Sequence, residues 1–356
     1  MFDGADQAML NQRISGLDSV RFICALWVFF GHGDAPPLSN PFELDTLLYW
    51  SFRAIYGNMW SGPAAVIVFF VISGFCIHYP FANRDDDLPT SAFLVRRWLR
   101  LGLPLVAAIP LAQLHGQSLA LFDKTILWSL LAELVYYSIY PLLRHVWQRE
   151  GSWSIHLIVA SLAALIVVLS DPLAGDYPSY GAWLNWLVGL PCWLMGCLLA
   201  DWIRQGKRPS ISRTAIWGWR STVFFAAGVC SVLRFHSPMG YPWTLNIFAV
   251  LVMYWLVREI SFRVKFAGIS LLEWAGGWSY SLYLMHAVAA TRFDIMLPGL
   301  RGGLSPWCLK VCFVLAACYL FHILVERPSH FAARWLGTCL LRKQKTHRDA
   351  NLQRGA

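Results

Sequence analysis

Arginine and histidine share one apolar stretch near the start of this chain. Gly16-Leu17-Asp18-Ser19-Val20-Arg21 leads through apolar residues to Gly31-His32-Gly33, with Arg21 and His32 eleven positions apart. At 100° per residue a helix turns through about 1100° over that interval, three turns plus roughly 20°, so both side chains share a face about 16 Å apart along the axis. An imidazole placed there can take a proton from a hydroxyl or carry a group covalently. It can equally be a hydrogen-bonded packing residue, and spacing alone leaves both readings open.

Further residues could join that chemistry. Phe69-Phe70-Val71-Ile72-Ser73-Gly74-Phe75 offers a hydroxyl at Ser73 beside a glycine suited to close helix approach. Arg96-Arg97-Trp98-Leu99-Arg100 sets Arg97 and Arg100 three apart on one helix face, able to fork onto phosphates or to anchor a helix end. Trp128-Ser129-Leu130-Leu131-Ala132-Glu133 places a carboxylate near the middle of an apolar run. There a charge costs about 3 kcal/mol and calls for a partner or a cavity. Glu133 reads as a structural ion-pair member or as a functional group. Ser279-Tyr280-Ser281-Leu282-Tyr283-Leu284-Met285-His286 puts a second histidine within an apolar run, and Val325-Glu326-Arg327-Pro328 follows. His78 and His322 match no pattern and read as interface or packing residues.

The elements that carry these residues are set by composition. The chain has 356 residues, 57% hydrophobic and only 14% charged, against roughly 25% charged in soluble domains. Its mean hydropathy is +0.49. Apolar runs are spread along the whole length, and 19 Trp and 13 Tyr suit bilayer interfaces. The expectation is an all-α polytopic membrane helix bundle. Ten spans of about 20 apolar residues fall at about 19–35, 62–80, 99–115, 125–143, 154–170, 183–201, 215–233, 241–257, 278–296 and 306–325. They form a membrane domain over 1–330, followed by a basic tail over 331–356. The polar first residues lack the pattern of a signal peptide, so the first helix is expected to stay uncleaved. The nine cysteines lack metal or disulfide spacing and read as packing residues, so no metal site is expected. Internal repeats are not evident, which gives no support to a transporter of repeated halves.

Charge orients the ten spans. With the N-terminus inside, 21 of the 29 Lys and Arg fall on inner segments and 5 on outer ones. That bias predicts both termini in the cytoplasm. The formal charge of +9 is then a matter of topology, with the tail touching anionic lipid, and nucleic acid is not an expected partner.

Taken together and in order, the motifs resemble the acyltransferase family 3 membrane proteins, which include O-acetyltransferases of lipopolysaccharide, exopolysaccharide and nodulation factors. The resemblance rests on Gly-Leu-Asp-x-x-Arg with His eleven after the Arg, Phe-Phe-Val-Ile-Ser-Gly-Phe, Arg-x-x-Arg, Trp-Ser-Leu-x-x-Glu, Ser-Tyr-Ser-Leu-Tyr-Leu-x-His and Glu-Arg-Pro, from residue 16 to 328. No single motif is specific; the ordered set is. Two departures stand out. Many members carry Asp two residues before the paired Phe, where this chain has Ile67. Many also carry a soluble hydrolase-like domain after the last helix, where this chain has a short basic tail, so it would act alone or with separate polysaccharide-assembly partners.

The resemblance implies a bacterial inner-membrane enzyme that moves an acyl group, often acetyl, from acyl-CoA to a hydroxyl of a cell-surface or exported glycan. The acyl-CoA is a donor substrate; no permanently bound cofactor is expected. His32 and Arg21 carry over as the essential pair, and Arg97 and Arg100 as donor-binding residues. Glu133 is a further candidate, to hold the histidine tautomer or sugar hydroxyls. Asp18, Ser73, Tyr283 and His286 are supporting candidates. His32 acts either as general base, which needs a neutral imidazole, or as acyl carrier. The rival class is a membrane transporter of glycan or lipid intermediates.

Overall fold

The computed structural model describes residue 14 and residues 16–83, 88–114, 127–266, 268–300 and 302–354, with side chains through residue 342. Among these there are thirteen α-helices and no strand. They are α1 (Leu17–Phe29), α2 (Leu47–Asn58), α3 (Gly62–His78), α4 (Thr90–Leu114), α5 (Leu127–Glu150), α6 (Ser154–Ser170), α7 (Gly181–Arg204), α8 (Arg213–His236), α9 (Tyr241–Lys265), α10 (Ser270–Gly276), α11 (Ser279–Met296), α12 (Leu304–Phe321) and α13 (Arg327–Arg354). Each of the ten expected spans falls on one of these helices. Helices α2, α10 and α13 were not foreseen. The expected boundary between residues 330 and 331 falls inside α13, which packs along α4.

By length and composition, five helical stretches are able to cross a membrane: Leu47–Phe81, Tyr177–Arg204, Arg213–His236, Tyr241–Lys265 and Leu304–Arg342. Ser154–Ser170 is a shorter apolar helix. The other expected spans are shorter in regular helix or less apolar. Regular α-helix in α1 stops at Phe29, α4 carries Arg96, Arg97 and Arg100, and α5 carries Glu133 and Arg144.

Helix α3 is apolar all round and buries 14 of its 17 residues, which makes it the centre of the bundle. It meets α7 at glycines. A Cβ on Gly74 would lie 2.0 Å from the Trp193 carbonyl oxygen, and one on Gly196 would lie 2.1 Å from that of Val71. Gly74 therefore serves the close approach its position suggested. Helices at the rim do the opposite: α6 leaves Ile155, Ile158, Val159, Leu162 and Ile166 exposed, a face suited to lipid.

Side-chain contacts sort the helix ends into two groups. At one end Glu273 of α10 accepts from the Gly16 and Ser19 backbone N–H groups, at 3.0 and 3.2 Å, and from the Ser19 hydroxyl. It thereby caps α1, whose orphan donors would otherwise be unpaired. The same end holds a buried carboxylate. Glu259 is 1% exposed and bridges Arg220, at 2.9 and 2.6 Å, and Arg263, at 3.0 Å. His78 lies there too, fully buried, with Asp201 at 2.9 Å, Tyr140 at 3.0 Å and Trp147 donating to the other Asp201 oxygen at 3.0 Å. It packs as expected, but within a polar network. The opposite end carries His32, Asp34, Asp176, Arg234, Tyr241 and Lys310, with contacts described below, and Ser61, whose hydroxyl is 3.3 Å from that of Tyr241.

Candidate active site

His32 lies just beyond the regular part of α1. From Phe30 to Asp34 the backbone forms a π turn, with His32 at φ −89°, ψ 21° and Gly33 at φ 101°. The positive φ at residue 33 is one that glycine adopts at no steric cost. Gly31 is needed for a different reason: a Cβ there would lie 2.5 Å from the Trp60 carbonyl oxygen, where the chain enters α3. The regular 100° phase used to align Arg21 with His32 therefore stops at Phe29, because a π turn adds a residue to the winding. His32 is also exposed, not buried as a mid-span position implied.

Three side chains from other helices fix this turn. Lys310 of α12 reaches Asp34 at 2.5 Å and Asp294 of α11 at 2.9 Å. The Trp307 indole N–H donates to the Asp34 carbonyl at 2.8 Å. An ion pair only 16% and 14% exposed is less screened than one at the surface, so it holds the turn against fraying.

Beneath His32 lies His286 of α11, fully buried. Its Nδ1 is 2.9 Å from the Tyr283 carbonyl and 3.1 Å from that of Leu282. Carbonyls only accept, so Nδ1 carries the proton and Nε2 presents a lone pair. That lone pair is 3.3 Å from His32 Nδ1, which is also 2.7 Å from the Val28 carbonyl. Both neighbours of His32 Nδ1 are acceptors, so it too is protonated there. The remaining nitrogen of His32, Nε2, makes no hydrogen bond among the described residues, and in the neutral imidazole it carries the lone pair. This is the tautomer a general base requires.

A cavity of about 150 Å³ opens beside His32. Val28, Pro63, Tyr283, Trp128, Tyr177, Asp176, Arg234 and Tyr241 are among the residues that line it. The Tyr283 hydroxyl is 2.7 Å from Ser129 Oγ, and its ring meets Phe69 edge-on.

The remaining sequence candidates form a second cluster toward the other end of α1. Arg21 pairs with Asp18 at 2.9 Å and donates to Cys76 Sγ at 3.2 Å. Ser73 donates to Glu133 at 2.5 Å, the Tyr137 hydroxyl bonds the same oxygen, and Trp193 donates to Ser73 at 3.3 Å. The Arg97 guanidinium lies over the Phe93 and Tyr137 rings, at 5.7 and 6.0 Å. Arg100 points elsewhere: its Nε donates to His330 at 3.2 Å. His330 lies 3.5 Å from Glu326, which also takes Ser281 at 2.5 Å and His322 at 2.9 Å. His322 thus bonds Glu326 as well as packing.

The structure therefore brings His32, His286 and Tyr283 together, and separately Asp18, Arg21, Ser73, Arg97 and Glu133. Glu133 makes no hydrogen bond to His32 among the described residues; the backbone and His286 hold the His32 tautomer instead. Ile67, the departure from the family pattern, is fully buried in α3. Among the described residues no group of three or more His, Cys, Asp or Glu is placed to hold a metal. Asp34, Lys310, Asp176 and Arg234 were missed as site residues. The signal for Lys310 was a lone charge in an apolar run; Asp34 directly follows the Gly-His-Gly and was legible in hindsight. Asp176 lies in the connection before α7 and Arg234 in the last turn of α8, far apart in sequence, with no motif to mark them.

Comparison with known proteins shows the family. The chain is 24% identical to acyltransferase MdmB of Streptomyces mycarofaciens over 364 residues, covering 89% of this chain and 91% of that protein. No solved structure matches the chain. The acyltransferase family 3 model, described as an acyltransferase domain, matches residues 14–323, which include both histidines and all the clustered arginines. The chain belongs to this acyltransferase family.

Proposed function

We propose that this membrane acyltransferase transfers an acyl group, acetyl being the first candidate, from acyl-CoA to a hydroxyl of a cell-surface or exported glycan. In this reading ten helices span the bacterial inner membrane, both termini are cytoplasmic, and the Arg21 end faces the cytoplasm. The lysine and arginine bias supports that orientation. The observation that carries the function is the His32–His286 pair beside an open cavity, with an arginine cluster at the far end of the same helix. Coenzyme A phosphates are polyanionic, which suits Arg97 and Arg21 at the inner mouth, with Arg100 alongside. The long pantetheine arm then reaches along the bundle toward His32, just beyond the far end of α1.

His32 Nε2 takes the proton of the acceptor hydroxyl as its oxygen attacks the thioester carbonyl. The positive charge that develops on His32 is met by the His286 Nε2 lone pair, across the Nδ1–H. When the tetrahedral intermediate collapses, the C–S bond breaks, and His32 returns its proton to the departing thiolate. The acyl group leaves as an ester and the coenzyme as a thiol. An acyl-imidazole on His32 is the competing course; labelled donor supplied without acceptor would trap label on His32 in that case alone.

The test is His32→Ala, assayed in membranes with labelled acyl-CoA. The variant is expected to insert normally and transfer no label to glycan. Undiminished transfer would remove His32 from the site.

A further inference from the structure

Arg234 is more firmly held than a residue at a helix end needs to be. Its Nε donates to the Gly175 carbonyl at 3.0 Å and its Nη2 to Asp176 at 3.2 Å. Its guanidinium lies over the Tyr241 ring at 4.9 Å. Asp176 in turn accepts from the Ser179 N–H at 3.2 Å and the Ser179 hydroxyl at 2.6 Å. Both residues line the cavity that holds His32. Two of the five guanidinium N–H groups are used in these bonds, and the others make none among the described residues. The pair thus offers donors and a carboxylate acceptor side by side, which is what adjacent sugar hydroxyls require.

The other walls are aromatic. Trp128 is the partly exposed ring; Tyr177 stacks behind it with centroids 5.4 Å apart and planes 23° from parallel, and Tyr241 and Tyr283 are buried in the lining. Flat aromatic walls match the C–H face of a pyranose. Size suits the unit: about 150 Å³ is the volume of an engineered cavity that takes one benzene ring, so this cavity, which opens outward, seats one six-membered ring with the rest of the acceptor outside. Charge narrows the class further. Arg234 is balanced by Asp176, so these walls give an anionic sugar no net attraction and charge it the desolvation of its carboxylate.

We propose that this cavity is the acceptor subsite and that it takes one uncharged pyranose ring. The ring lies against Trp128, which Tyr177 backs, Arg234 and Asp176 hold two of its hydroxyls, and a third faces His32 Nε2. Residue Arg234 fixes which hydroxyl that is. This assignment rests on the acyltransferase reading of the same site.

The experiment uses the full-length protein in membranes, with labelled acetyl-CoA and paired alkyl glycosides: neutral pyranosides and the matching uronates. Transfer to neutral pyranosides is expected, with uronates poorer by about tenfold or more, in line with an uncompensated buried charge. Arg234→Gln and Trp128→Leu are each expected to raise acceptor KM about tenfold while donor KM stays within about twofold. The two variants alter different helices, so a folding defect in one, seen as a changed donor KM, leaves the other to decide. Equal use of uronates, unchanged acceptor KM in both variants, or donor turnover that depends on His32 but reaches no pyranoside would overturn the subsite. Absence of any His32-dependent donor turnover would instead overturn the acyltransferase reading beneath it.

Discussion

His286 is the residue whose replacement probes the proposed chemistry most directly. Phe in its place keeps the volume and the apolar packing against Phe29, whose ring sits 6.0 Å away, but removes the Nε2 lone pair. His32 Nδ1 keeps the Val28 carbonyl at 2.7 Å, so the tautomer survives. What is lost is one hydrogen bond to a group that becomes charged as the proton moves. Such bonds are worth about 1.5–3 kcal/mol, which at 1.4 kcal/mol per decade predicts kcat lower by about 10- to 150-fold. Because the bond gains strength only as the proton reaches His32, KM for either substrate should scarcely move. Steady-state kinetics in membranes with labelled acyl-CoA would measure both. The double variant provides the sharper check: with His32→Ala already present, His286→Phe should cost nothing further, since the two act as one unit. A loss below about threefold would refute the charge-sharing role. A loss as complete as that of His32→Ala would make His286 itself the base.

Other consequences follow from the same contacts. Lys310→Met removes the ion pairs to Asp34 and Asp294 while keeping the apolar stem; a turn loosened by about 1 Å should lower kcat on the order of 100-fold, with Lys310→Arg restoring much of it. Arg97→Ala with Arg100→Ala should raise donor KM more than acceptor KM. Because Arg100 pairs with His330 instead of lying over Tyr137, Arg97→Ala alone should account for most of that effect; equal single-variant effects would count against the division. Gly74→Ala should abolish folded protein on detergent gel filtration, as its Cβ would lie 2.0 Å from the Trp193 carbonyl oxygen, whereas Gly102→Ala meets no atom within 4 Å and should behave as the native chain.

Much of this architecture was legible from residue order. Apolar runs fixed where the ten expected segments lie, because the period and length of hydrophobic residues depend on neighbours close in sequence. Spacing also linked Arg21 to His32 on one helix. The π turn escaped that reading, since a regular phase assumes an unbroken helix and the break is set by Gly33, by the approach of Trp60 to Gly31, and by Lys310 and Trp307. Glu133 was a reasonable choice to orient His32, being a carboxylate in an apolar helix; only packing showed that Ser73 and Tyr137 take it.

His32 was thus marked by the sequence, and its chemistry was decided by residues the sequence could not tie to it. His286 is 254 positions away, and whether one imidazole meets another depends on how α1 and α11 rotate against each other. The Asp176–Arg234 pair arises the same way, from a connection and the last turn of α8 that meet at one end of the bundle. Local patterning makes the helices; the contacts between them follow from side-chain packing over the whole bundle, where each helix's rotation depends on all its neighbours.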